Sequence, residues 1–342
     1  MNKQLITWQF IHKSLSKGIP VMLLYVLHSK GSSPGRQGFF MAVNAAGEME
    51  GSIGGGIMEH KLVERAKDKL VSGEEEHTLR LQVHDKSARH QSGMICSGEE
   101  TVFLYRVHAD EIALIERMVH CLQQNGDGLL ALSPAGIRFL EGAAPDGDYY
   151  FQKISDDDWK YEEKIGYKNQ LYLVGGGHCA LAFSRLLYNM DFYTRLYEDR
   201  PHLNTLQKNF YVHEKHILSD YSELRHYIPS GPHHYVVVMT VGYRSDDTAV
   251  RALLGKEFAY FGLLGSAHKI AQMFTAYRSE GLPEEWLQRI HAPIGLPIHS
   301  QTPEEIAVSI AAEIIQVKNE RSREGLKAAI PATVKNKKEG EV

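Results

Sequence analysis

NQLYLVGGGHCALAFSRLLYNMDFYTRLYEDR, residues 169–200, passes from one kind of local structure to another three times. Leu171-Tyr172-Leu173-Val174 is an apolar run of the length and composition of a buried parallel strand. Gly175-Gly176-Gly177 breaks it. Ala180, Leu181, Phe183, Ser184 and Leu187 then follow with the period of a helix, and residues 193–197 form a second strand-like run ending on Glu198-Asp199-Arg200. Strand, glycine turn, helix and acid-tipped strand make one βαβ unit. Gly175, Gly177 and Ala180 fill the G-x-G-x-x-A positions, and Asp199 lies 24 residues beyond Gly175, close to the spacing of a ribose-binding acid. Glycines let a phosphate approach the backbone, and the helix start offers N–H donors and the positive end of a dipole. Gly175, Gly177, His178, Asp199 and Arg200 are therefore candidate ligand residues. If the turn did no more than tighten a bend, Asp199 would be a solvated strand end.

Downstream, helix and strand patterns keep alternating. Residues 235–241 (YVVVMTV) and 258–264 read as buried strands, each ending in a polar, glycine-containing turn. Thr302-Pro303-Glu304-Glu305 is a strong helix start, with a threonine cap, proline at the first helical position and glutamate at the third. The helix it opens spans residues 306–317; from 318 the chain becomes charged and loses its pattern.

Upstream, residues 4–17 place Leu5, Trp8, Ile11 and Leu15 on one helical stripe. Residues 21–27 and 39–43 read as strands around the polar loop GSSPGRQG (31–38), and GSIGGG (51–56) opens a helix with Ile57, Leu62, Ala66 and Leu70 inward. Successive amides in such loops can form anion-binding concavities. Gly54, Gly55 and Gly56 would supply them, with hydroxyls from Ser32 and Ser33 and a clamp from Arg36. Glu59 would either compensate the helix dipole or bind a polar ligand group. Cys121 has the setting of a core thiol. Cys179 starts a helix, where a thiolate can be favoured or a thiol simply packed. Cys96, between small residues, is the candidate reactive or metal-ligating thiol. Residues 154–164, rich in charge, read as the approach to a linker, with a boundary near 165.

Composition narrows the class. With 342 residues, 43% hydrophobic and 23% charged, the chain can form two domains with proper cores. A net charge of −4 gives no nucleic-acid surface, and no window reaches the ~18 apolar residues of a membrane span. Three scattered cysteines point to a reducing cytoplasm without a disulfide framework.

The series GSSPGRQG, GSIGGGIME (51–59), GMICSG (93–98), LVGGGHCA (173–180), YEDR (197–200), GLLGSAHK (262–269), and HAPIGLPI with TPEEIAVSIAAEII (291–315) resembles the XdhC/CoxI family, accessory factors of xanthine dehydrogenase and related molybdenum hydroxylases. The resemblance implies a mixed α/β XdhC/CoxI-type domain over residues 1–165, a Rossmann-like parallel-sheet domain over 166–318 and a charged flexible tail over 319–342. It implies a carrier more than a catalyst: one that binds molybdenum cofactor (molybdopterin), supports its sulfuration by a cysteine desulfurase, delivers it to a xanthine dehydrogenase-type hydroxylase, and forms a homodimer. Cys96 matches the cysteine of the family's Cys-Gly-Gly turn and would face the metal–sulfur centre, whose softness suits a thiolate. The residues alone leave a competing reading open, an NAD(P)-dependent oxidoreductase with a nucleotide at the Rossmann turn. Tyr243 and Lys269 are then the nearest catalytic candidates.

Overall fold

The computed structural model describes residues 3–74, 77–84, 98–145 and 147–328. The chain divides into two compact units, Met1–Lys168 and Asn169–Val342.

In the first unit, α1 (Lys3–Ser16) precedes β1 (Val21–Gly31), β2 (Phe40–Asn44), β3 (Met49–Gly51), α2 (Gly56–Ser72), β4 (His77–His84) and β5 (Gly98–Val107). The five strands form an antiparallel sheet in the order β3-β2-β1-β5-β4. β1 is central, and its apolar run is unbroken because both of its faces are covered. Leu23, Tyr25 and Leu27 enter one core with Trp8 and Ile11 of α1; Met22, Leu24 and Val26 enter another with Leu62, Val63, Ala66 and Leu70 of α2. Each such side chain taken fully out of water contributes roughly 1.5–3 kcal/mol. Ile57, expected to face inward, is 48% exposed; Val63 takes that place.

α3 (Ile112–Gln123) leads to β6 (Gly128–Ser133), β7 (Gly136–Glu141), β8 (Tyr149–Lys153) and β9 (Trp159–Ile165), an antiparallel sheet in the order β7-β6-β9-β8. β9 corrects the expectation of a charged approach to a linker. Trp159, Tyr161, Glu163 and Ile165 are all buried, so WKYEEKI alternates with period two. Its buried acid is what disguises it. Glu163 accepts from Tyr25 (2.5 Å), Tyr161 (2.7 Å) and Lys168 (3.0 Å).

The second unit is doubly wound. β10 (Asn169–Val174), α4 (His178–Leu187), β11 (Phe192–Glu198), α5 (Asn204–Gln207), β12 (Glu214–Ile217), α6 (Leu224–Tyr227), β13 (Gly231–Val238), α7 (Tyr243–Ala252), β14 (Phe258–Leu263), α8 (Ala267–Ser279), α9 (Glu284–Leu287), β15 (Ile290–His291) and α10 (Pro303–Ala328) follow in turn. Every strand pair is parallel, in the order β12-β11-β10-β13-β14-β15. This is the Rossmann order, with its reversal between β10 and β13. Tyr235 and Val237 of β13 pack with α4 and α10; Val236 and Val238 pack with α7 and α8. Thr302 and Glu305 cap α10 reciprocally, amide to side chain at 3.2 Å in both directions. The helix continues to Ala328, past the expected end at 317; Lys, Glu and Arg are good helix formers that need no apolar pattern to stay helical.

Candidate functional site

β10 ends at Val174, and the turn after it is fixed before the helix starts. The Gly175 amide donates to the Tyr197 carbonyl at 2.8 Å. Gly175 has φ +102°, and a methyl there would run into the Met239 carbonyl, so the position accepts glycine alone. The Gly176 amide donates to Glu198 at 2.6 Å, and its carbonyl accepts from Thr205 Oγ1 at 2.5 Å. Gly177 differs: its φ is −70°, and a methyl there meets nothing within 4 Å. The space beside it is open. α4 then begins with His178, which is exposed; Ala180 is fully buried against the sheet, the close packing that a small residue permits. No side chain caps α4 and no acid stands in its first turn. Leu181 to Gly177, at 3.0 Å, closes the first helical turn, so the amides of residues 178–180 have no intrahelical backbone acceptor.

The acid at the end of β11 is not the one the spacing selects. Glu198, completely buried, accepts from Gly176, from the amides of Asp199 and Arg200 (both 3.1 Å), and from the Arg200 guanidinium twice (2.7 and 2.9 Å). Burial works against its charge, but the Arg200 guanidinium, Asp199 and the Gly176 amide outweigh it and hold the carboxyl down at about 2. Glu198 is consumed in fastening the turn to the strand. Asp199 is pushed the other way, by burial, by a side-chain hydrogen bond with Glu198 and by the Glu198 charge. Its Oδ1 is buried with no hydrogen bond; Arg200 Nε lies 3.6 Å away. Gly175, Gly177, His178, Asp199 and Arg200 are thus brought to one sheet edge. The sequence could not separate Glu198 from Asp199, because the choice depends on which residue is the last of the strand.

Cys179 is a thiol rather than a thiolate. Burial, and then the Glu304 charge, raise it above its ordinary value, outweighing the hydrogen bond from its own amide. Cys121 is buried, with Sγ 3.4 Å from the Asp127 carbonyl.

In the first unit the glycine loops meet each other. Gly54 has φ +126°, and a methyl there would strike Pro34 and Gly35. Ser33, buried, donates to the Gly35 carbonyl at 3.0 Å, and exposed Arg36 donates to the Gly31 carbonyl at 3.0 Å, closing the loop on itself. Glu100, also buried, takes the Gly35 amide at 2.7 Å. Glu59 accepts from Ser52 Oγ (2.8 Å) and from the amides of Ile53 and Gly55 (2.9 Å each), and Gly54 donates to Ser52 at 3.1 Å. Ser32 and Gly56 remain exposed. Ser32, Ser33, Arg36, Gly54, Gly55, Gly56 and Glu59 therefore form one cluster whose loop amides are largely held by its own side chains. Cys96 lies outside the described residues. Among the described residues, no group of three or more His, Cys, Asp or Glu is placed to hold a metal ion, and no helix is long and apolar enough to cross a membrane.

A six-stranded parallel sheet with an uncapped helix at its glycine turn defines a Rossmann domain. Residues 171–314 match the XdhC Rossmann domain and residues 14–82 match the XdhC and CoxI family, together more than half of the chain. The chain belongs to the XdhC and CoxI family. It is 26% identical over 308 residues to the uncharacterized protein YqeB of Escherichia coli (strain K12), covering 88% of this chain and 44% of that protein. It is 37% identical over 87 residues to a probable xanthine dehydrogenase subunit of Bacillus subtilis (strain 168), covering 25% of this chain and 24% of that protein. The chain thus spans less than half the length of these curated relatives. A crystal structure of a xanthine dehydrogenase from Bacillus halodurans shares the fold, with a TM-score of 0.69 at 23% identity over 97% of this chain and 98% of that one.

Proposed function

We propose that the protein is an accessory factor that binds molybdenum cofactor, supports its sulfuration by a cysteine desulfurase and delivers it to a xanthine dehydrogenase-type hydroxylase, acting as a homodimer. The family membership supports the class of partner. The observation that carries the binding role is the start of α4: open space at Gly177 and a first turn with no capping side chain and no acid of its own. The cargo's phosphate end fits there. Cys96 is the proposed ligand of the metal–sulfur centre, whose softness suits a thiolate.

The test is the pterin content of protein purified from cells that make the cofactor, read by fluorescence after release. The expected result is pterin on the wild type, little on Gly177→Asp, and a loss on Cys96→Ala. Wild-type protein without pterin overturns the reading.

The Rossmann strand order favours one rival, an NAD(P)-dependent oxidoreductase. A ribose acid must have free oxygens, and Glu198 has none, which leaves Asp199 for that role. Tight saturable NADH binding by titration, with no pterin on the purified protein, would replace the first reading by this one.

A further inference from the structure

Beside the glycine turn, across the reversal of strand order, stands a buried ion pair. Asp246, in the first turn of α7, is completely buried. Its Oδ1 accepts from the Thr240 amide at 3.1 Å and the Thr240 hydroxyl at 2.6 Å, and its Oδ2 pairs with Lys269 Nζ. Lys269, in the first turn of α8, also donates to the Leu264 carbonyl at 3.0 Å. Two of its three ammonium hydrogens are thereby placed; the third has no partner among the described residues, and the side chain is 24% exposed. The cluster is continuous with the turn, since a methyl on Gly175 would lie 2.9 Å from the Thr240 Cα. Lys269 thus stands at the carboxyl edge of the sheet, on the β13–β14 side of the point where ligands of doubly wound folds bind.

A buried ion pair is a poor way to gain stability, because desolvation offsets its attraction and an apolar pair would serve as well. What it provides is a fixed cation. The long lysine stem is ordered before any ligand arrives, so a ligand that contacts it need not spend binding free energy on ordering it. A compact ammonium with one free hydrogen suits a phosphate oxygen.

We propose that Lys269, positioned by Asp246, is a second anion-binding group of this site and contacts a phosphate that adjoins the one on the Gly175–Gly177 turn. The ligand class is a diphosphate, with one phosphate on the α4 amides and the next on Lys269. This rests on the reading above that the glycine turn holds a phosphate.

The test uses the full-length protein with adenosine 5′-monophosphate and 5′-diphosphate as probes, titrated by calorimetry. Wild type should bind the diphosphate at least tenfold more tightly than the monophosphate. The double variant Asp246→Asn/Lys269→Met removes both charges together and strands neither. In it the diphosphate should fall to the affinity of the monophosphate, which itself changes less than twofold. A merely structural role would weaken both probes alike. A preference kept by the double variant, or absent from the wild type, overturns the proposal. If Gly177→Asp abolishes both probes while the double variant keeps its preference, the turn reading stands and Lys269 alone falls. Wild type that binds neither probe removes the turn reading itself. A second measurement needs no variant: acetylation of Lys269 by an amine reagent, followed by peptide mass, should slow at least fivefold with the diphosphate and not with the monophosphate. Equal rates overturn the assignment.

Discussion

The two glycine-rich regions are alike in composition and differ in what their amides do. Around Gly54 the loop closes on its own carboxylates. Glu59, in the first turn of α2, takes two amides and a hydroxyl, and Glu100 takes the Gly35 amide. Around Gly177 one internal carboxylate, Glu198, holds the turn, but α4 begins with no acid and no cap. The first arrangement already contains its anion. The second is shaped by one and then waits for another. A glycine-rich loop is therefore no evidence of a ligand until its amides have been followed to their acceptors.

The contrast can be broken by substitution. The largest effect falls on the two strained glycines. Gly54→Ala and Gly175→Ala each force a methyl onto neighbouring backbone at positive φ, and each should cost roughly 3–5 kcal/mol, read by urea unfolding. Next, Glu59→Ala strands the amides of Ile53, which is buried, and Gly55; it should cost about 1–3 kcal/mol without changing pterin content. If pterin is lost while stability is kept, Glu59 is a ligand residue and the contrast fails.

A third effect depends on pH. The carboxyl of Glu198 is lowered from 4.5 to about 2 in the folded chain. Its stabilisation is thus full above the unfolded value and is lost as pH falls through the folded one. The unfolding midpoint should drop between about pH 4.5 and 2, and Glu198→Gln should flatten that part of the curve. A slope unchanged in the variant would move the burden to another lowered carboxylate; Asp199, raised in the folded chain, acts in the opposite direction. The smallest effect on stability is that of Gly177→Ala, within about 0.5 kcal/mol because the site is open and its φ ordinary. Pterin loading should nevertheless fall, since the methyl enters the space assigned to the phosphate.

Much of the second unit is legible in the chain because its signals are local. Val174, Gly175 and Ala180 specify strand, turn and helix within seven residues, and Thr302 with Glu305 caps α10 as written. What the sequence hides is pairing at a distance. Nothing near Glu163 announces Tyr25, 138 positions away, so a strand with a buried acid reads as a linker. Nothing near Asp246 announces Lys269, 23 positions on. Ile57 carries the right period and still faces water, because the first turn of α2 lies at the edge of its core. In the site itself, the glycines are read from sequence, whereas the division of labour between Glu198 and Asp199 needs the strand's end to be seen.

α10 has a consequence for how the chain is made. Ala307, Ile310, Ala311 and Ile314 cover one face of the parallel sheet, and they emerge from the ribosome after every strand of that sheet. The amino-terminal unit has all its strands by residue 165 and can close while translation continues. The other must keep a greasy sheet waiting for its last cover. A premature stop or a stalled ribosome before about residue 300 would release a sticky half-product, one that the cell's chaperones and proteases would meet first.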